Sequence, residues 1–395
     1  MCFAAVRSTR EGTILFPERV SRETSTPRIG RGALSFALVF VVGSLLAAGC
    51  TGVTGPKGWA SPVEEGDTLL VAHRENLIAF EAGSLDERWS FPGSIGEDSE
   101  DVDPIALYGT PAITDDAIYV PGYDGTLYAL DHETGEVLWL FETDGPIIGG
   151  VIADEAGIYF GSSDGHVYAL NPGGSEMWAK PFETGGAVQS TPALDGDMLY
   201  VTSLDSKLYA LDASSGEERW SFTTEAGLAS APIVNQATGL VYVGGFDSRL
   251  RAIDLDSHQE QWAIEAKNWF WTTPLVAGGV VYAGSLDHKV YAADAATGQS
   301  HWEDPFSVGG EVRAGPALVG GRLIVISRDG EVYGIDPEDG SSSGGSLELG
   351  SDVLADPLVV EGEDGPEVVV VTVGGDLVRI DPSTLTEIQR KPLKG

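Results

Sequence analysis

Two tryptophans, a tyrosine, a glutamine and an arginine recur in step with a repeat of about forty residues: Trp59, Tyr108, Gln189, Trp271 and Arg313. Gathered in one place, these side chains would bind by stacking, by cation–π contact and by hydrogen bonding, which suits an aromatic or anionic ligand. Trp269 belongs with them, because Asn268-Trp269-Phe270-Trp271 has no counterpart in any other copy of the repeat. Two other sets could do chemistry. Cys50 follows Ala48-Gly49 at the end of an apolar run and offers a thiol for lipid attachment. Asp98, Glu100, Asp101 and Asp103, beside Glu97, offer the carboxylate oxygens that a hard cation such as Ca²⁺ prefers, although a solvated loop is the plainer reading. No catalytic set stands out. The six His residues have no ligand spacing, and Cys2 and Cys50 are the only cysteines, so the region after residue 61 can form neither a disulfide nor a Cys metal site.

The elements that must position these residues are set by the repeat. A Pro-led anchor falls at Pro62, Pro111, Val151 (a replacement), Pro192, Pro232, Pro274, Pro316 and Pro357. An acidic anchor falls at Glu81, Asp131, Asn171 (an amide), Asp212, Asp254, Asp294, Asp336 and Asp381. A Trp follows at Trp89, Trp139, Trp178, Trp220, Trp262 and Trp302, and is missing from the last two copies. Four short strands within a period near forty-one residues make one propeller blade. Eight copies therefore predict an all-β, eight-bladed β-propeller of four-stranded antiparallel blades, one domain over residues 62–395.

Local chemistry supports that reading. Asp124-Gly125, Asp164-Gly165 and Asp329-Gly330 separate alternating apolar runs, a strong hairpin signal. Each acidic anchor is expected to accept hydrogen bonds from the turn that follows it, a structural role. Each Trp is expected to fill the wedge between neighbouring sheets, its N–H on a backbone carbonyl. The strand running into each Pro is expected to be innermost. The residue three before it would then face the central funnel: Trp59, Tyr108, Ile148, Gln189, Ala229, Trp271, Arg313 and Leu354. These side chains either plug a wide channel or bind a ligand in it. The final copy lacks its Trp, so its blade is expected to close loosely or to borrow a strand from the segment before the first blade.

The N-terminus carries an address. Six Arg precede an apolar run from Ala33 to Ala48, the pattern of a secretory leader over residues 1–49, with residues before about 28 an over-extended start. The run is short for a membrane span. Ser44-Leu45-Leu46-Ala47-Ala48-Gly49-Cys50 resembles a bacterial lipobox, with Ala47 where Leu is usual; an ordinary cleaved leader is the alternative. Residues 50–61 then read as a lipidated Cys and a flexible tether.

The net charge of −37 excludes nucleic acid and anionic lipid surfaces as partners. Surface acids that hold solubility in a saline habitat are the simplest cause. A basic partner and divalent-cation binding are the others.

The units from Leu127 to Trp139 and from Leu208 to Trp220, reading Leu-Tyr-Ala-Leu-Asp, a Thr/Ser-Gly turn and Trp, resemble the repeats of the pyrroloquinoline-quinone-type β-propellers. Eight blades behind a lipobox most resemble the propeller lipoproteins of the machinery that assembles outer-membrane β-barrels. That resemblance implies a monomeric, non-enzymatic, cofactor-free scaffold on the periplasmic face of the outer membrane, bound to the central barrel-assembly subunit. Two alternatives stay open. One is a surface lipoprotein binding a peptide, sugar or small ligand in its funnel, on the outer face of the cytoplasmic membrane if the cell has one membrane. The other is a quinone-dependent dehydrogenase, against which stands the lack of the vicinal Cys pair such enzymes carry.

Overall fold

The computed structural model describes residues 60–92, 106–362 and 364–393. Cys50, Trp59 and the acids Asp98, Glu100, Asp101 and Asp103 lie outside them. Within them the chain forms eight four-stranded antiparallel sheets, each built from one contiguous segment and ordered a-b-c-d as the chain runs. This is the eight-bladed propeller that the repeat predicts. Blade 4 is representative, with strands Ala193–Asp195, Met198–Ser203, Lys207–Asp212 and Glu218–Thr223.

The a strand does not run into the Pro; it starts just after it, at Val63, Ala112, Ile152, Ala193, Ile233, Leu275, Ala317 and Leu358. Proline has no N–H for a ladder bond, so pairing begins one residue later, and the residues before it form the connection from the preceding blade.

Period-two alternation buries both faces of the b and c strands, because each blade is packed between two others. The core is accordingly divided into eight apolar clusters, each straddling one junction. Tyr159, Val167 and Trp178 of blade 3 meet Leu199, Val201 and Tyr209 of blade 4. Leu69, Ile78 and Phe80 of blade 1 meet Val360, Val369 and Leu377 of blade 8, which closes the ring. Among the described residues blade 8 is built from its own four strands, Leu358–Gly362, Gly365–Val371, Asp376–Asp381 and Thr386–Pro392, with none borrowed.

Two polar devices repeat. The acidic anchor accepts backbone N–H groups of its own turn, as at Asp131 from Glu133 and Thr134 at 3.0 and 2.8 Å, and at Asp212 from Ser214 and Ser215 at 3.0 Å each. Hydrogen bonds from turn side chains and backbone hold the Asp131, Asp212, Asp254, Asp294 and Asp381 carboxyls below the usual range. The second device starts from the turn between strands b and c. Its Asp takes a Tyr hydroxyl four residues on, at 2.6 Å for Tyr128–Asp124 and 2.7 Å for Tyr291–Asp287. The same Asp also accepts a backbone N–H from the preceding blade, as Asp205 does from Gly185 at 2.7 Å. In blade 5 the Tyr gives way to buried Arg251, which grips Asp247 at 2.9 and 2.6 Å.

The Trp residues act at the junctions as the repeat suggests. Trp89, Trp139, Trp178, Trp262 and Trp302 donate their indole N–H to the carbonyls of His132, Pro172, Ala213, Ala295 and Pro337, at 2.9 to 3.2 Å. Each acceptor directly follows the anchor of the next blade. The facing turn residue is Gly with positive φ, and a Cβ on Gly216 would come within 2.5 Å of the Trp178 ring. Trp220 is the exception. It faces His258, whose ring stacks on it at 4.7 Å.

Candidate functional site

The connections that enter the a strands alternate with the pleat. Four residues before each Pro anchor, Leu107, Ile147, Val188, Leu228, Phe270, Val312 and Val353 are fully buried in the junction clusters. One residue later, Tyr108, Ile148, Gln189, Ala229, Trp271, Arg313 and Leu354 are half-buried and together line one axial cavity of about 120 Å³. Seven of the eight funnel positions thus converge, and the eighth, Trp59, lies outside the described residues. Trp269 does not join this lining. It stacks on Phe246 at 4.6 Å, and Phe246 in turn stacks on Trp271 at 5.3 Å. The Arg313 guanidinium lies 5.9 Å from the Trp271 ring centroid, so three rings and a cation form one ladder from the blade 5 turn towards the axis.

Two residues here carry no mark in the sequence on their own. Phe246 precedes the turn Asp of blade 5, where six of the other blades place Tyr123, Ser163, Leu204, Leu286, Arg328 and Val373. Following that position around the repeat would have found it. Asp356 directly precedes Pro357, where other copies hold Ser, Thr, Gly or Ala. Burial in the channel wall pushes its carboxyl above the usual range, against the N–H of Gly315 that it accepts. Arg313 is anchored on Glu311 at 2.9 Å, and Arg328 reaches the same carboxylate at 3.3 Å. Burial works to raise Glu311, yet Arg313 and then Arg328 outweigh it and hold it below its ordinary value. Tyr108 packs edge-on to Tyr123 at 5.0 Å. The channel is thus narrow and mixed in polarity, with Arg313 tied to Glu311 and Trp271 held between Phe246 and the guanidinium.

A second cavity of about 920 Å³ opens among blades 7, 8 and 1, at the two junctions that carry no Trp, with Arg322, Arg379, Glu64, Glu361 and Ile388 in its wall. Burial raises the Glu64 carboxyl, partly offset by Arg379.

A family described as outer membrane protein assembly factor BamB matches residues 51–172, 163–268 and 301–388. A relative of that name from Nitrosomonas eutropha is 36% identical over 112 residues, covering 28% of this chain and 27% of the relative. Matches to the first curated relatives span between a quarter and a third of their length. The crystal structure of BamB from Moraxella catarrhalis superposes with a TM-score of 0.65 at 17% identity, covering 80% of this chain and 91% of that one. A europium-containing methanol dehydrogenase superposes equally well, TM-score 0.65 at 14% identity, covering 78% of this chain and 81% of that one. At such identities the superpositions speak for the fold alone.

A quinone on the axis does not fit the residues present. The propeller has no Cys to supply a vicinal pair. The axial cavity is about 120 Å³, against roughly 300–1,000 Å³ for small-molecule pockets. Among the described residues, no three of His, Cys, Asp and Glu are grouped to hold a cation.

Proposed function

We propose that this chain, which belongs to the family of the outer membrane protein assembly factor BamB, is a non-enzymatic scaffold in the assembly of outer-membrane β-barrel proteins. The family match carries the reading: its three stretches run from the residue after Cys50 into the last blade. In this reading residues 1–49 are a secretory leader, Cys50 is the acylated first residue, residues 51–61 are a tether and the ring stands in the periplasm. The funnel side chains are then plugs that stiffen a wide ring, in keeping with the small volume left between them. The test is a crosslinked pull-down of the tagged protein from its native membranes, with captured proteins identified by mass. Recovery of the barrel-assembly subunit is the expected result. Its absence, with the protein intact and membrane-bound, overturns the reading.

A second reading is favoured by the ladder of Trp269, Phe246, Trp271 and Arg313, which is richer than a plug requires. In it the ladder takes a peptide, sugar or small ligand. Trp271→Ala and Arg313→Ala would each abolish binding of a ligand found by screening while leaving the fold intact.

A further inference from the structure

The outermost strand of blade 2, Val137–Glu142, departs from the repeat in a way the fold does not need. Around their Trp, the corresponding strands carry Glu87, Arg88 and Ser90 in blade 1, Glu218, Arg219 and Ser221 in blade 4, and Glu260, Gln261 and Ala263 in blade 5. Blade 2 carries Val137, Leu138 and Leu140, which are 47%, 51% and 53% exposed. Packing does not account for them, because Trp139 and Phe141 of the same strand already fill the junction with blade 3. Among the described residues this strand is also the free edge of its sheet, with no strand paired on its outer side. A bulge opposite Leu130 leaves Trp139–Glu142 as a regular edge. An exposed aliphatic strand with a free edge is a template for another strand.

The charge around it says which occupant fits. Between Arg88 and Lys180 the chain holds no Lys or Arg, yet it holds seventeen Asp and Glu. Exposed Glu133, Glu136, Glu142 and Asp144 flank the edge. A second copy of a chain of net charge −37 would be repelled from this face. We infer that the outer edge of blade 2 docks an extended, basic segment of another protein, one whose alternate residues are aliphatic. Its backbone pairs with Trp139–Glu142, its aliphatic side chains cover Leu138 and Leu140, and its cations meet the flanking carboxylates.

The inference holds for any such partner, so it and the barrel-assembly reading can fail separately. The probe is a short dansylated peptide alternating valine and lysine, titrated against the full chain. The variant Val137→Glu/Leu138→Arg/Leu140→Ser installs the residues of blade 4, leaves the net charge unchanged and uses a strand sequence the ring already folds. It is expected to weaken binding at least about ten-fold. The same peptide N-methylated at alternate backbone positions is expected to weaken as much, because its edge can no longer pair. Equal binding by variant and parent assigns the affinity to overall acidity and overturns the inference. Equal binding of the N-methylated peptide also overturns it, since the surface would then be adhesive without being a docking strand. A parent chain that dimerises in sedimentation while its triple variant stays monomeric would give the edge to a second copy and overturn it too.

Discussion

The junctions from blade 1 round to blade 7 and those that flank blade 8 solve one problem with different residues. At five of the former, a Trp N–H meets the carbonyl after the next anchor and a Gly leaves room for the ring. Blades 7 and 8 have no Trp, yet the same carbonyls are met. Arg322 donates to Pro382 and Ser383 at 2.8 Å, and Arg379 donates to Ala82 and Gly83 at 3.2 Å. The facing turn position changes in concert. Where Gly stands opposite each of those five Trp residues, Leu385 and Leu85 stand here, buried and at φ of 53° and 59°. A wide ring against a bare turn has become a narrow cation against a bulky one. The repeat thus preserves a satisfied carbonyl and a filled wedge, not a residue.

Four changes would break or sharpen that contrast. The largest effect is expected at Arg379, whose Nε also binds the buried Glu367 at 2.6 Å. Arg379→Met strands that carboxylate and should cost about 3–5 kcal/mol in denaturant unfolding, whereas Arg379→Met/Glu367→Met should cost much less. Equal losses would mean that packing, not charge, closes the ring. Next comes Leu385→Gly, which opens a cavity but relieves a positive φ. With large-to-small losses of about 2–5 kcal/mol and relief of about 1–2, a net loss of roughly 1–3 kcal/mol is expected. A gain in stability would show that Leu does not replace the indole.

The third is acid. His73, buried in blade 1 against Gly375 of blade 8, has its pKa lowered by burial and by Arg74, against the pull of Asp376. A lowered folded pKa means stability that is full above the ordinary value near 6.5 and is lost as pH falls below it. The melting temperature should therefore start to drop below about pH 6.5, before the anchor carboxylates protonate, and His73→Gln should remove that first step. The depressed anchor acids act later by the same sign, their contribution present above about pH 4 and lost below it. Smallest is His258→Gly, which turns the exceptional Trp220 junction into the common kind. Losing a stack worth about 0.5–1.5 kcal/mol while relieving about 1–2 of positive-φ strain should leave stability within about 1 kcal/mol of the parent.

Much of this is legible in the sequence because it is local and repeated. The Trp, the anchor and its turn sit within about a dozen residues of each other, so their roles follow from spacing. The convergence of Tyr108, Gln189, Trp271 and Arg313 follows from counting back from each Pro, although the strand begins after the Pro and not before it. What stays hidden lacks a local signature. Arg322 and Arg379 meet carbonyls 60 and 297 positions away, and only the fold brings them together. Trp269 stands two residues from a funnel position, but the pleat and Phe246 turn it into the stack. The closure of blade 8 is hidden as well, because a missing Trp reads as a missing contact when the cation that replaces it is out of view.

Each blade is one unbroken piece of chain, and that gives the ring a history in time. As the chain emerges from the ribosome, seven junctions can form between pieces about forty residues apart, each as soon as its second half is made. The eighth must wait for Lys391, which reaches back 306 positions to the carbonyl of Leu85. Joining ends that far apart costs roughly 2 kcal/mol more in chain entropy than joining neighbouring blades. The newborn protein is therefore an open arc before it is a ring, and the seam between its first and last blades is where it should come apart again.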